Sequence, residues 1–124
     1  MCIRDRYKNL EGWEKSMQLV KEVYLLVKSF PKEELYGLTS QIKRSAVSIP
    51  ANIAEGIGRN YKKDTIQFLH ISRGSLYELE TLLNIAEMIE ILQTPDFEII
   101  SKNIDECARI LNGLISYYEK SDLK

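Results

Sequence analysis

Between Gln41 and Arg59 the polar residues Gln41, Ser45, Ser48, Asn52, Glu55 and Arg59 recur at alternating intervals of four and three. That spacing gathers them into one narrow seam along an α-helix. Almost everything between them is apolar or small, from Ile42, Ala46, Val47 and Ile49 to Ala51, Ile53, Ala54, Gly56 and Ile57. A surface helix normally carries one apolar stripe, whereas this one is apolar over most of its circumference. Such a cylinder has to be buried on several sides. The surface that one small bundle leaves uncovered is expected to meet a partner chain, most simply another copy.

The same periodicity organises the rest of the chain. A first helix is expected from Asn9 to Ser29, with Asn9 as its cap and Phe30-Pro31 as its stop. Its predicted core stripe is Trp13, Met17, Val20, Tyr24 and Val27. The second helix is expected from Leu38 to Arg59, with Gly37 or Thr39 marking its start. A third is expected from Asp64 to Leu92, with Asp64 capping and Gln67 reaching back, over a stripe of Leu69, Ser72, Leu76, Leu79, Leu83 and Ala86. The fourth opens on Thr94-Pro95 and carries Ile100, Ile104, Cys107, Leu111, Leu114 and Tyr118 on one face.

Nothing alternates like a strand, and the connections are too short to cross the molecule. The predicted fold is therefore all-α: an antiparallel up-down-up-down four-helix bundle with left-handed packing over residues 9–121, preceded by a flexible or artefactual tail over residues 1–8. Pro50 removes a backbone donor inside the second helix at a cost of ~3 kcal/mol unless the helix bends. A kink is expected there, with Ser45 or Ser48 satisfying the carbonyl freed at Ala46. Gly56 and Gly74-Ser75 either let helices approach closely or mark places where a ligand touches backbone.

At 124 residues the chain is one domain by size. No apolar run reaches membrane-spanning length, so no membrane partner is expected. Met1 to Tyr7 holds Arg4, Asp5 and Arg6 with no apolar segment behind, so a secretory signal is not expected and the cytoplasm is the expected location. Cys2 and Cys107 are too few for a disulfide framework or a metal knuckle and are expected to be free thiols. His70 is the single histidine, which excludes the paired Glu-x-x-His motifs of di-metal bundles, and neither metal nor cofactor is expected. Arg59 lies eleven residues before His70, too far for the Arg-His arrangement of helical ribonucleases. With no nucleophile-base pair and no glycine-rich phosphate loop, no catalytic residue is assigned and an enzyme is not expected.

Net charge is −1, but residues 1–63 hold twelve Lys/Arg against seven Asp/Glu, and residues 64–124 hold five against eleven. Either oppositely charged helices lie side by side, or the basic half offers a surface to a polyanion. Arg59, Tyr61, Lys62 and Lys63 follow the second helix, Lys43 and Arg44 precede them on it, and Arg73 lies further along. These residues can bind phosphates and stack a base. A simpler account is that cations at a helix C-terminus are favoured by its macrodipole, by ~0.3–1 kcal/mol.

The run Ser48-Ile49-Pro50-Ala51-Asn52-Ile53-Ala54-Glu55-Gly56, closed by Gly58-Arg59, stands together with Phe68-Leu69 and Gly74-Ser75-Leu76-Tyr77-Glu78-Leu79-Glu80. With Leu10 to Trp13 and Gln41 to Arg44, it closely resembles the bacterial four-helix bundle family of 23S rRNA intervening-sequence proteins, or S23 proteins, over about Tyr7 to Lys120. The resemblance implies a homopentameric barrel. It also implies kinship with the accessory variability protein of diversity-generating retroelements, a basic barrel that binds nucleic acid and a reverse transcriptase. It carries over no catalytic residue. The resulting expectation is a non-enzymatic oligomeric scaffold that binds RNA or a nucleic-acid-handling protein, a reverse-transcriptase-like one among them, through Lys43, Arg44, Arg59, Tyr61, Lys62, Lys63 and Arg73. The seam of Gln41, Ser45, Ser48, Asn52, Glu55 and Gly56 would be structural or lie in an interface, with Asn52 and Glu55 ordering it between subunits or around the kink of the second helix. The alternative is a protein-only adaptor for a neighbouring gene product, without nucleic-acid affinity.

Overall fold

A computed structural model describes Tyr7 and residues 10–122 of the chain. The Asn9 cap, Cys2 and, apart from Tyr7, the tail expected over residues 1–8 lie outside the described residues. Four helices form: α1 (Glu11–Leu26), α2 (Leu38–Ile57), α3 (Lys62–Met88) and α4 (Thr94–Lys120). Two short 3₁₀ turns, Val27–Ser29 and Lys32–Glu34, carry the chain from α1 to α2. There is no strand among the described residues. Each helix packs on two others, in the cyclic order α1, α2, α3, α4.

Cross-helix contacts fix the directions. Thr65 meets Gly56, Ser72 meets Ile49 and Ser75 meets Ser48, so α3 runs antiparallel to α2. Lys15 meets Glu106 and Glu22 accepts from Asn103, so α4 runs antiparallel to α1. Fully buried Leu and Ile side chains from all four helices fill the interior, among them Leu19, Ile42, Ile49, Ile53, Leu69, Leu76, Leu83, Ile104 and Leu111. Each such side chain stabilises the fold by ~1.5–3 kcal/mol relative to exposure. The stripes expected on α3 and α4 are the ones that face this core, except that Ile115 is buried while Leu114 and Tyr118 are only partly covered.

On α1 the buried face is Gly12, Ser16, Leu19 and Val23, one position away from the expected stripe. Met17 and Tyr24 are exposed, while Trp13 and Val20 pack on the edge of the core. Small residues take part of this face: a Cβ at Gly12 would make an ordinary contact with the Ile110 side chain, 3.5 Å away, and Ser16 turns its hydroxyl onto its own helix, at the Trp13 carbonyl.

The α2–α3 contact is tighter still. A Cβ at Gly56 would lie 2.8 Å from Phe68 Cβ and 3.1 Å from the Thr65 carbonyl oxygen. Thr65 Oγ1 donates to the Gly56 carbonyl at 2.7 Å, and Ser72 Oγ donates to the Ile49 carbonyl at 2.8 Å. Both α3 hydroxyls are buried and would be costly to leave unpaired. Of the two roles open to the glycine sites, Gly56 therefore takes close packing. Gly74 is exposed and a Cβ there would meet nothing within 4 Å, so packing inside the chain does not require glycine.

α2 continues through Pro50 to Ile57. Ser45 donates to the Ile42 carbonyl and not to Ala46, while Ser48 is engaged by Asn52 and Ser75. α3 starts at Lys62 with Tyr61 in the cap position and no side-chain cap, so the Asp64–Gln67 box is not formed. It ends earlier than expected because Glu90 takes the left-handed conformation (φ 68°), while Ile91 N–H donates to the Ala86 carbonyl and Glu90 N–H to that of Glu87. This closes the helix in a Schellman motif with a non-glycine residue at its left-handed position.

Gly56→Ala is expected to lower the urea-unfolding free energy by ~1–2 kcal/mol, overpacking outweighing the gain in helix propensity. Gly74→Ala is expected to raise it by up to ~1 kcal/mol. Equal effects at the two sites would contradict the close α2–α3 contact.

Candidate nucleic-acid interface

Part of the polar seam of α2 rims its contact with α3, through Ser48 and Arg59. Ser45 is buried, Ser48 and Asn52 are half-buried, and Gln41, Glu55 and Arg59 are exposed. Asn52 Nδ2 donates to the Ser48 carbonyl at 2.8 Å and to Ser48 Oγ at 2.9 Å, and Ser75 Oγ reaches the same hydroxyl at 2.8 Å. Glu55 pairs with Arg59 at 3.6 Å, and the Arg59 guanidinium lies 4.6 Å from the Phe68 ring centroid. The seam thus joins two helices of one chain, and Gly56 lies buried beside it.

The same packing absorbs most of α2's apolar surface. Ile42, Ala46, Ile49, Pro50, Ile53 and Ile57 are all buried within the single chain, and of the remaining apolar residues in the run only Val47 and Ala51 are exposed. The apolar excess read from the sequence is therefore much smaller than the helical pattern implied. It is the cyclic packing of α1, α2 and α3 that covers two sides of this cylinder.

The basic candidates do not form one patch. Lys43 sits over the Tyr24 ring, 5.0 Å from its centroid, near the start of α2. Arg59, Tyr61, Lys62 and Lys63 lie at the other end, ~24 Å away at the helical rise of ~1.5 Å per residue. Arg73 is on the α3–α4 side, where it donates to Asn112 Oδ1 at 2.9 Å and lies 2.8 Å from His70 Nδ1. Guanidinium only donates, so Nδ1 is the acceptor in that contact, and His70 Nε2 lies 4.0 Å from Glu119. Arg44 is exposed.

For Lys62 and Lys63, though not for Arg59, the turn between α2 and α3 overturns the macrodipole account. Lys62 and Lys63 are the first residues of α3, not the last of α2, and a helix N-terminus disfavours positive charge. Lys62 has a structural role, since its Nζ donates to the Ser121 carbonyl at the end of α4, 3.2 Å away. Tyr61 and Lys63 have no comparable role. Both are exposed, Tyr61 at 62 %, and neither makes a side-chain hydrogen bond, ion pair or ring contact among the described residues. The sequence could not show this, because it required knowing where α3 begins.

Ion pairs do little to neutralise the two halves. Among the described residues, Lys15–Glu106 at 2.9 Å is the one pair that joins the basic half to the acidic half. Its hydrogen bond, with the Coulomb attraction behind it, raises the Lys15 pKa and lowers that of Glu106. Among the described residues no group of three or more His, Cys, Asp or Glu could hold a metal ion, and no helix is long and apolar enough to cross a membrane.

Cys107 is buried in the core, and burial pushes its thiol up to about 11. The folded state therefore holds its proton above the ordinary value near 9, and the stability gained from this protonated thiol is present below pH 9 and lost as pH rises toward 11. Cys107 should resist alkylation at pH 8 in the native protein and react on unfolding in urea. Equal labelling in both states would place the thiol at the surface.

A family model described as 23S rRNA-intervening sequence protein matches residues 8–113. Among solved structures, the chain resembles a protein of unknown function from the S23 ribosomal protein family of Bacteroides thetaiotaomicron VPI-5482, with 26 % identity and a TM-score of 0.78 over 85 % of this chain and 95 % of that one. No curated protein matches the chain. The family match spans nearly the whole bundle, from the residues before α1 to the last turns of α4, and the chain belongs to the 23S rRNA-intervening sequence protein family.

Proposed function

We propose that this protein is a non-enzymatic, cytoplasmic scaffold that self-associates and binds RNA through the turn from Arg59 to Lys63. The observation that carries the reading is the pair Tyr61 and Lys63. Folding gives neither side chain a partner among the described residues, and Lys63 occupies a helix end where a cation is disfavoured. Phosphate contacts from Lys63 and Arg59, with a base stacked on Tyr61, would use both. The surplus positive charge of the first half, met across the bundle by the single pair Lys15–Glu106 among the described residues, supports the same partner.

Self-association into a homopentamer is part of the proposal. Val47 and Ala51 on α2 and Ile71 on α3 remain exposed, and assembly would cover them. Repetition of the basic turn around a ring would add up to a considerable field.

RNA binding of the wild type should weaken with salt, and Arg59→Gln with Lys63→Gln should flatten the slope of log affinity against log salt by ~0.7 per lost phosphate contact. Tyr61→Ala should weaken binding by ~1–3 kcal/mol. Filter binding of a single-stranded oligoribonucleotide measures both. RNA affinity indifferent to these changes would leave the protein-only adaptor as the better reading. Light scattering on protein freed of nucleic acid should give a pentamer's mass, and a single chain's mass would remove the ring.

A further inference from the structure

A second basic feature lies at the opposite end of α2 from the turn just described. Beneath the 3₁₀ turns that join α1 to α2 there is a cavity of about 260 Å³. Its apolar floor includes Val27 and Phe30, both buried, and Tyr24 stands at its side. Lys28, Lys32 and Lys43 line it and no carboxylate does. None of the three lysines makes an ion pair among the described residues. Lys43 is held over the Tyr24 ring, 5.0 Å from its centroid, rather than extended to solvent.

Thr39 also lines this cavity. The residue is 4 % exposed, and its Oγ1 is, among the described residues, the one buried side-chain polar atom without a hydrogen-bond partner. An unpaired buried hydroxyl is costly, and beside a cavity a ligand can satisfy it once the side chains covering it shift. Three cations around so small a space would be left strongly positive by a single carboxylate. A phosphomonoester carries about −1.5 to −2 charge near neutral pH and offers three acceptor oxygens, enough for a hydroxyl and two ammonium groups. The apolar floor would take an attached ring. At about 260 Å³ the space is just below the ~300 Å³ from which drug-sized pockets begin, so the ligand is small or partly projects into solvent.

We propose that the cavity between Lys28, Lys32, Lys43 and Thr39 binds a phosphomonoester joined to a flat organic body, that is, a mononucleotide or the 5′-phosphorylated end of an RNA. The site does not depend on the Arg59–Lys63 reading, because the two lie at opposite ends of α2.

Calorimetric titration of the full chain tests it with adenosine 5′-monophosphate against adenosine, and with a 5′-phosphorylated oligoribonucleotide against its 5′-hydroxyl form. In at least one pair the phosphorylated member should bind tenfold tighter or more. Which pair shows the larger ratio tells a free nucleotide from an RNA end. Lys28→Ala with Lys43→Ala should abolish the difference, while Arg59→Gln with Lys63→Gln should leave it within twofold. Thr39→Val provides a variant that folds without an unpaired hydroxyl. Its melting temperature should match or exceed that of the wild type while phosphomonoester affinity falls about fivefold or more. Equal affinity within both pairs, or a preference that survives Lys28→Ala with Lys43→Ala, would overturn the proposal.

Discussion

The separation of α2 and α3 is the constraint on which the remaining geometry depends. Gly56 has no room for a Cβ, so Phe68 and Thr65 come down directly onto the α2 backbone. At that distance buried α3 hydroxyls reach α2 carbonyls, Thr65 at Gly56 and Ser72 at Ile49. The Ser48–Asn52–Ser75 group closes the rim above them. Two helices tied in this way have one axial register. A sliding apolar contact alone would not specify it, since Leu and Ile side chains repack with little penalty when volume is kept.

The helical pattern of the chain is legible wherever the large apolar residues are also the buried ones. On α3 the run Leu69, Ser72, Leu76, Leu79, Leu83, Ala86 is the buried face. On α1 the same pattern points to Trp13, Met17 and Tyr24, whereas the helix turns Gly12 and Ser16 inward. Side-chain size misleads there, because small residues share the buried face while Met17 and Tyr24 stay exposed. The Thr65 and Ser72 hydrogen bonds are not legible at all: their acceptors are backbone carbonyls on another helix, and such groups carry no sequence signature. α3 starts two residues before Asp64, and that small difference suffices to reverse the electrostatic meaning of Lys62 and Lys63.

The basic residues that the sequence groups together are divided by the fold. Lys43 joins Tyr24 and the α1–α2 turns, Arg73 joins His70 and Asn112, and Arg59 braces Phe68. Lys62 closes the end of α4. What distinguishes the remaining groups is the lack of an internal partner among the described residues, seen at Tyr61 and Lys63 on one end of α2 and at Lys28 and Lys32 beside the cavity at the other.

The brief connection between α2 and α3 also bears on the order in which the chain becomes structured. Gly58 to Tyr61 span the gap, and the paired positions nearest it, Gly56 and Thr65, are nine apart in sequence. Closing so short a loop forfeits little chain entropy, and the cost grows only logarithmically with length. By contrast, α1 and α4 meet through residues as distant as Glu22 and Asn103, eighty-one apart. Contacts that are both local and tight favour early formation. The α2–α3 hairpin, built around one missing methyl group, is accordingly the segment best placed to nucleate the bundle, with the two outer helices condensing on it afterward.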